Sequence, residues 1–89
     1  MLDELKRRTQ RYEELLRVAL EGADFIVQKD DPLYEDALEL YEMAKAYYSD
    51  GLFFLRNNEY VNALVSFSYG YGLLDAGIRL GMFEGQGWK

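Results

Sequence analysis

From the N-terminus onward, apolar residues return every three or four positions: Leu2, Leu5, Tyr12, Leu15, Leu16, Ala19, Leu20, Ala23, Ile26 and Val27. That period belongs to a helix rather than a strand, and it predicts a first helix over residues 2–29. Asp31-Pro32 reads as the start of a second helix, because an aspartate accepts a hydrogen bond from a free backbone N–H and proline has no N–H to leave unpaired. Glu35 and Asp36 then sit in the first turn, where they complement the helix dipole. The stripe Leu33, Ala37, Leu40, Tyr41, Ala44, Tyr48, Leu52 and Leu55 carries this helix over residues 32–56. Gly51 interrupts it with a residue that costs ~1 kcal/mol relative to alanine in a helix interior, which leaves open whether the second helix is continuous there.

Asn57-Asn58 marks the next break, since asparagine tolerates the left-handed conformation that ends a helix and also caps the one that follows. A turn this short makes the flanking helices antiparallel. Tyr60, Leu64, Phe67, Tyr71, Leu74 and Ile78 alternate at four and three residues, the spacing of a packed seam, and predict a third helix over residues 59–80. It stops at Gly81, and residues 82–89 read as a short tail. Three helices of about 25 residues, at 1.5 Å per residue, are rods near 35–40 Å. Their natural arrangement is an all-α, antiparallel three-helix bundle forming a single domain over residues 1–89. Tyr34, Ala37, Leu38 and Tyr41 echo in Tyr60, Ala63, Leu64 and Phe67, but the offset and the number of copies do not match a tetratricopeptide array. The echo reads as two helices built on similar packing rules.

Composition narrows the chemistry. The chain has 89 residues, 49% of them hydrophobic and 16% aromatic, with eight tyrosines, and it contains neither histidine nor cysteine. That excludes disulfide frameworks, thiol nucleophiles, imidazole bases and the usual zinc ligand sets. The formal charge is −6 and unevenly spread. Residues 1–20 hold five bases against four acids, whereas residues 21–50 hold nine acids and only Lys29 and Lys45. An acidic chain argues against a nucleic-acid partner. The exception to weigh is Lys6, Arg7, Arg8 and Arg11, which read either as a solvated helix face or as a patch for RNA or another single strand. MLDELKRR has no apolar signal-peptide core, and no apolar run approaches the ~20 residues that cross a membrane. The expectation is a cytoplasmic protein with no membrane partner.

The third helix carries Gly70, Gly72 and Gly77 in its interior. Three such glycines cost about 3 kcal/mol relative to alanine, so something must offset them. Either small residues allow close contact with the other helices, or they leave a flat surface for a partner. Tyr47-Tyr48 and Tyr69-x-Tyr71 cannot all point inward, because neighbours on a helix diverge by about 100°. Some aromatics therefore lie outside, and the expected interaction surface comprises Phe53, Phe54, Tyr69, Gly70, Gly72 and Trp88.

The run from Tyr47 to Phe83 resembles an archaeal family catalogued as domain of unknown function 357. The matching features are Asp50, Gly51 and Phe53; the turn Asn57-Asn58; Phe67, Ser68 and Tyr69; and Leu74, Asp75, Ala76 and Gly77. The resemblance covers residues 34–83 well and the first helix by general character. It implies a small all-helical domain of three helices and no assigned activity.

Catalysis would fall to Asp, Glu, Lys or Tyr. Asp75 interrupts an apolar stretch, and Arg79 lies one turn on, where an ion pair satisfies it. With Asp50, expected as a cap or kink acceptor beside Gly51, these form a candidate polar site. Glu21 and Asp24 on the first helix, with Glu39 and Glu42 on the second, would make a four-carboxylate Mg²⁺ cluster of the phosphohydrolase type if the two helices are antiparallel. The competing reading is a solvated acidic face. No phosphate-binding loop or nucleophile elbow occurs. The reading favoured by the residues is a protein-interaction or self-association module without catalytic activity or cofactor, its partner a second copy or another protein.

Overall fold

A computed structural model describes residues 2–85 of the chain. It contains α1 (Leu2–Gly22), β1 (Ala23–Phe25), α2 (Tyr34–Arg56), α3 (Tyr60–Arg79) and β2 (Phe83–Gly85). The three helices form the expected bundle, elongated at 47 × 21 × 16 Å. α1 and α2 are antiparallel, since the Tyr48 hydroxyl reaches Glu13 while that of Tyr41 reaches the Leu20 carbonyl. α1 and α3 are parallel: Thr9 lies beside Tyr60, and Leu16 beside Gly70. α1 rests more extensively on α3 than on α2, and the α2–α3 hairpin is the most intimate pair.

The first helix ends at Gly22 rather than near residue 29. Ala23–Phe25 leaves the bundle axis as a strand and pairs antiparallel with Phe83–Gly85, placing Ala23 opposite Gly85, Asp24 opposite Glu84 and Phe25 opposite Phe83. Glycine is a poor helix former, while Phe25, Ile26 and Val27 are aromatic and β-branched residues that suit a strand. Their spacing imitates a helix, but a partner segment far along the chain decides the outcome. The supposed tail is consequently structural as far as it is described. Met82 and Phe83 are buried, and the Phe83 ring packs edge-on to Phe25 with centroids 4.9 Å apart.

α2 begins at Tyr34, two residues after the expected start. Asp31 still prepares it: its carboxylate accepts a hydrogen bond from the Leu33 N–H at 2.8 Å, which orders the turn ahead of the first helical residue. The helix then runs unbroken through Gly51 to Arg56, which decides the continuity that the sequence leaves open. Asn57 and Asn58 make the turn, with Asn58 left-handed at φ 60°. Glu59 rather than an asparagine precedes α3 as its N-cap, and its side chain does not cap the helix. At the far end the Gly81 N–H donates to Ile78 and the Met82 N–H to Gly77, with Gly81 at φ 77°, a Schellman stop.

The core consists of Leu16, Ala19, Ala37, Ala44, Ala63, Phe67, Leu74, Met82 and Phe83. Its many alanines and glycines bring the helices close. A Cβ on Gly51 would enter the Phe67 ring, one on Gly70 would stand 2.8 Å from Leu16 Cδ2 and 3.2 Å from the Ala44 carbonyl oxygen, and one on Gly77 would enter the Phe83 ring. Gly72 differs, because a Cβ there would meet no heavy atom within 4 Å.

Candidate functional site

The helical stripes that do not face the core identify where surface chemistry is available. On α2, Tyr41 and Tyr48 turn toward α1. Met43, Ala46, Asp50 and Phe53 are exposed on another side of the helix, with Tyr47 half-buried along the same stripe. On α3, Val65, Ser68, Tyr69, Gly72 and Ala76 are exposed. Tyr47 and Tyr69 join the two stripes by stacking, with ring centroids 5.6 Å apart and 18° between their planes. Phe53 is 56% exposed and Tyr69 62% exposed. Two shallow grooves flank the stack. One, of about 360 Å³, is lined by Leu64, Val65, Ser68 and Tyr69; the other, of about 260 Å³, by Met43, Ala46, Tyr47 and Asp50.

Of the residues expected on this surface, Phe53, Tyr69 and Gly72 are exposed. Phe54 is half-buried, its ring edge-on to Phe53 and packed against the core. Gly70 is buried, so it is no part of any surface; it serves the contact with Leu16 and Ala44 instead. A signal for the difference lies in the sequence: Gly70 stands three residues after Phe67 and four before Leu74, on the seam side of the helix, whereas Gly72 falls on a separate ridge with Ser68 and Ala76. Trp88 lies outside the described residues.

The candidate polar site is brought together only in part, since a hydrogen bond joins Asp75 to Arg79 but none joins either to Asp50. Asp50 is exposed in mid-helix and caps neither end of α2. Asp75 accepts a hydrogen bond from Arg79 Nε at 2.9 Å, the pair expected from their spacing, with the arginine side chain 76% exposed. The carboxylate cluster loses its premise, since Asp24 sits on β1 opposite Glu84 rather than on the first helix. Among the described residues, no three acidic side chains are grouped so as to hold a metal ion.

Other polar arrangements follow from tertiary packing. The Tyr48 hydroxyl donates to Glu13 at 2.6 Å, and Arg17 bridges Glu13 at 3.3 Å and Glu21 at 3.9 Å. Burial, then the hydrogen bond to Glu13, pushes the Tyr48 hydroxyl up to about 12. Burial, followed by the nearby Asp75 charge, also raises Tyr71. Both shifts move away from neutral pH, the opposite of what an acid–base catalyst needs. Thr9, absent from the apolar stripe, is fully buried and donates to the Leu5 carbonyl at 2.8 Å.

The basic cluster of the N-terminal helix divides. Lys6 turns over the Tyr60 ring at 5.4 Å, whereas Arg7, Arg8 and Arg11 line an open groove of about 470 Å³ with Glu4, Tyr12 and Leu15.

No curated protein and no solved structure matches the chain. One family model does match, over residues 11–83, from the middle of α1 through Phe83 and beyond the segment whose motifs carry the resemblance. Spanning more than half of the 89 residues, it places the chain in the family described as "Protein of unknown function (DUF357)".

Proposed function

We propose that the protein is an interaction module that associates with a second copy of itself through the α2–α3 face carrying Phe53, Tyr47, Tyr69 and Gly72. One observation carries the reading: two large aromatic side chains, Phe53 and Tyr69, stay more than half exposed on neighbouring helices, outside the core that Leu16, Phe67, Leu74 and Phe83 fill. Aromatic residues are enriched in protein interfaces, where a large apolar body is covered and a polar tip stays hydrated. Charge supports the same face, because Asp50 is the sole ionisable group besides tyrosine on the stripe from Met43 to Phe53, although the chain carries −6 overall. Self-repulsion is weakest where like charges are fewest.

Gly72 adds a second line of support. Gly51, Gly70 and Gly77 each make room for a neighbouring side chain within the molecule, whereas Gly72 has open space above it and gains nothing from the fold in return for its poor helix propensity. A second backbone or ring seated there would supply the missing partner.

Sedimentation equilibrium over a concentration series tests the proposal. The wild-type chain is expected to sediment as a dimer at high concentration, and Phe53→Glu with Tyr69→Glu to sediment as a monomer that keeps its helical circular dichroism. A wild-type monomer at every concentration overturns self-association.

A further inference from the structure

Arg7 and Arg11 lie one helical turn apart on the same side of α1, and among the described residues neither forms an ion pair. Arg8, beside them, pairs only with Glu4 at 3.3 Å, both side chains being largely exposed, a contact that solvent screens and a stronger anion displaces. Like charges at this spacing repel and weaken a helix. Among the described residues no ion pair offsets that repulsion at Arg7 or Arg11, and the one carboxylate lining the same groove, Glu4, is paired with Arg8.

The three guanidinium groups also share a concave surface. Their groove measures about 470 Å³, with Tyr12 and Leu15 as an apolar wall, and Tyr12 is held by an edge-on contact to Tyr71 at 6.3 Å between centroids. Small-ligand sites commonly occupy about 300–1,000 Å³ and combine an apolar lining with a few convergent polar groups. Guanidinium forks match the paired oxygens of a phosphate group. We propose that Arg7, Arg8 and Arg11 bind a small anion bearing a phosphate or diphosphate group, with Tyr12 against its organic part.

Charge sets the size of the ligand. The basic patch spans little more than one turn, and the nine acids of residues 21–50 oppose a polyanion that extends far beyond it. A phosphate or diphosphate needs only the groove. The site is also independent of the α2–α3 face, since every described residue lining it belongs to α1.

Calorimetric titration of the full chain with inorganic pyrophosphate at low salt tests this, alongside a single-stranded RNA of about ten nucleotides. The variants are Arg7→Gln with Arg11→Gln, and, as a control on exposed bases elsewhere, Lys29→Gln with Arg56→Gln. Pyrophosphate is expected to bind with one-to-one stoichiometry, about tenfold more weakly for each groove arginine removed and unchanged in the control. All substitutions are on exposed side chains, and circular dichroism verifies that the helices persist. Absence of pyrophosphate binding at millimolar concentration overturns the proposal, as does equal weakening in the control, which would mean general screening. RNA binding that is tighter than pyrophosphate binding, with a salt dependence of more than about three released ions, overturns the small-anion assignment in favour of a nucleic-acid surface.

Discussion

Replacing Gly77 by alanine should leave the protein no more stable than before, whereas the same replacement in a Phe83→Ala background should stabilise it. A Cβ on Gly77 would stand 2.5 Å from Phe83 Cδ2, where ordinary contact begins at 3.4 Å. The ring must retreat by roughly 1 Å in an interior packed as densely as an organic crystal. It has little freedom to do so, with the Phe25 centroid at 4.9 Å and that of Tyr41 at 6.3 Å. Overpacking of this kind costs about 1–3 kcal/mol, against which alanine gains about 1 kcal/mol of helix propensity over glycine. Gly77→Ala alone is therefore expected to be neutral to destabilising by about 2 kcal/mol. Phe83→Ala alone should cost about 3–5 kcal/mol, as burial of a phenylalanine is lost and a cavity opens. In that background the new methyl group has space, and Gly77→Ala should stabilise by about 1 kcal/mol. Urea denaturation of the four proteins, followed by circular dichroism, yields the coupling energy, expected at about 1–3 kcal/mol. Phe83→Leu supplies a milder version of the same cycle. Additivity within about 0.5 kcal/mol would refute the reasoning, because it would mean that the Phe83 ring does not rest on Gly77 in solution.

Two further predictions concern the surface and the α1–α2 contact. Gly72→Ala adds a methyl group where nothing lies within 4 Å, so it should stabilise the monomer by about 1 kcal/mol and raise Tm by about 4–8 °C; unchanged or lowered Tm in thermal melts would contradict the exposed placement. Tyr48 holds its proton more tightly when folded, so its contribution to stability is complete below the unfolded value of 10.0 and disappears as pH rises toward about 12. Chemical denaturation across that alkaline range should accordingly show a shallower loss of stability for Tyr48→Phe than for the wild type, and parallel curves would argue against the Tyr48–Glu13 contact.

Much of the scaffold is legible in local signals. The three- and four-residue spacing marks the helices of the hairpin, Asn58 adopts the left-handed conformation that ends α2, and Gly81 supplies the Schellman stop of α3. The i, i+4 pair of Asp75 and Arg79 forms as their positions on one helix require. The end of the first helix is not legible, since Ala23, Ile26 and Val27 satisfy the helical period, and their departure from it depends on Phe83 arriving from the other end of the chain. Candidate-site residues divide in the same way. Amphipathic spacing indicates that some aromatics must be outside, but not that Tyr69 is exposed while Phe54 leans on the core.

By itself, the amino-acid sequence determined three helices, an antiparallel hairpin around Asn57-Asn58, and an acidic chain without imidazole or thiol chemistry. Those features depend on residues within a few positions of one another, or on composition alone. Only the tertiary structure decided that Gly51, Gly70 and Gly77 make room for neighbours while Gly72 faces open space, and that Phe25 and Phe83 close one end of the bundle. It also decided that Arg7, Arg8 and Arg11 share a groove while Lys6 turns to Tyr60. A glycine or an arginine has the same local preference in each place; its role depends on which side chain a distant segment brings against it.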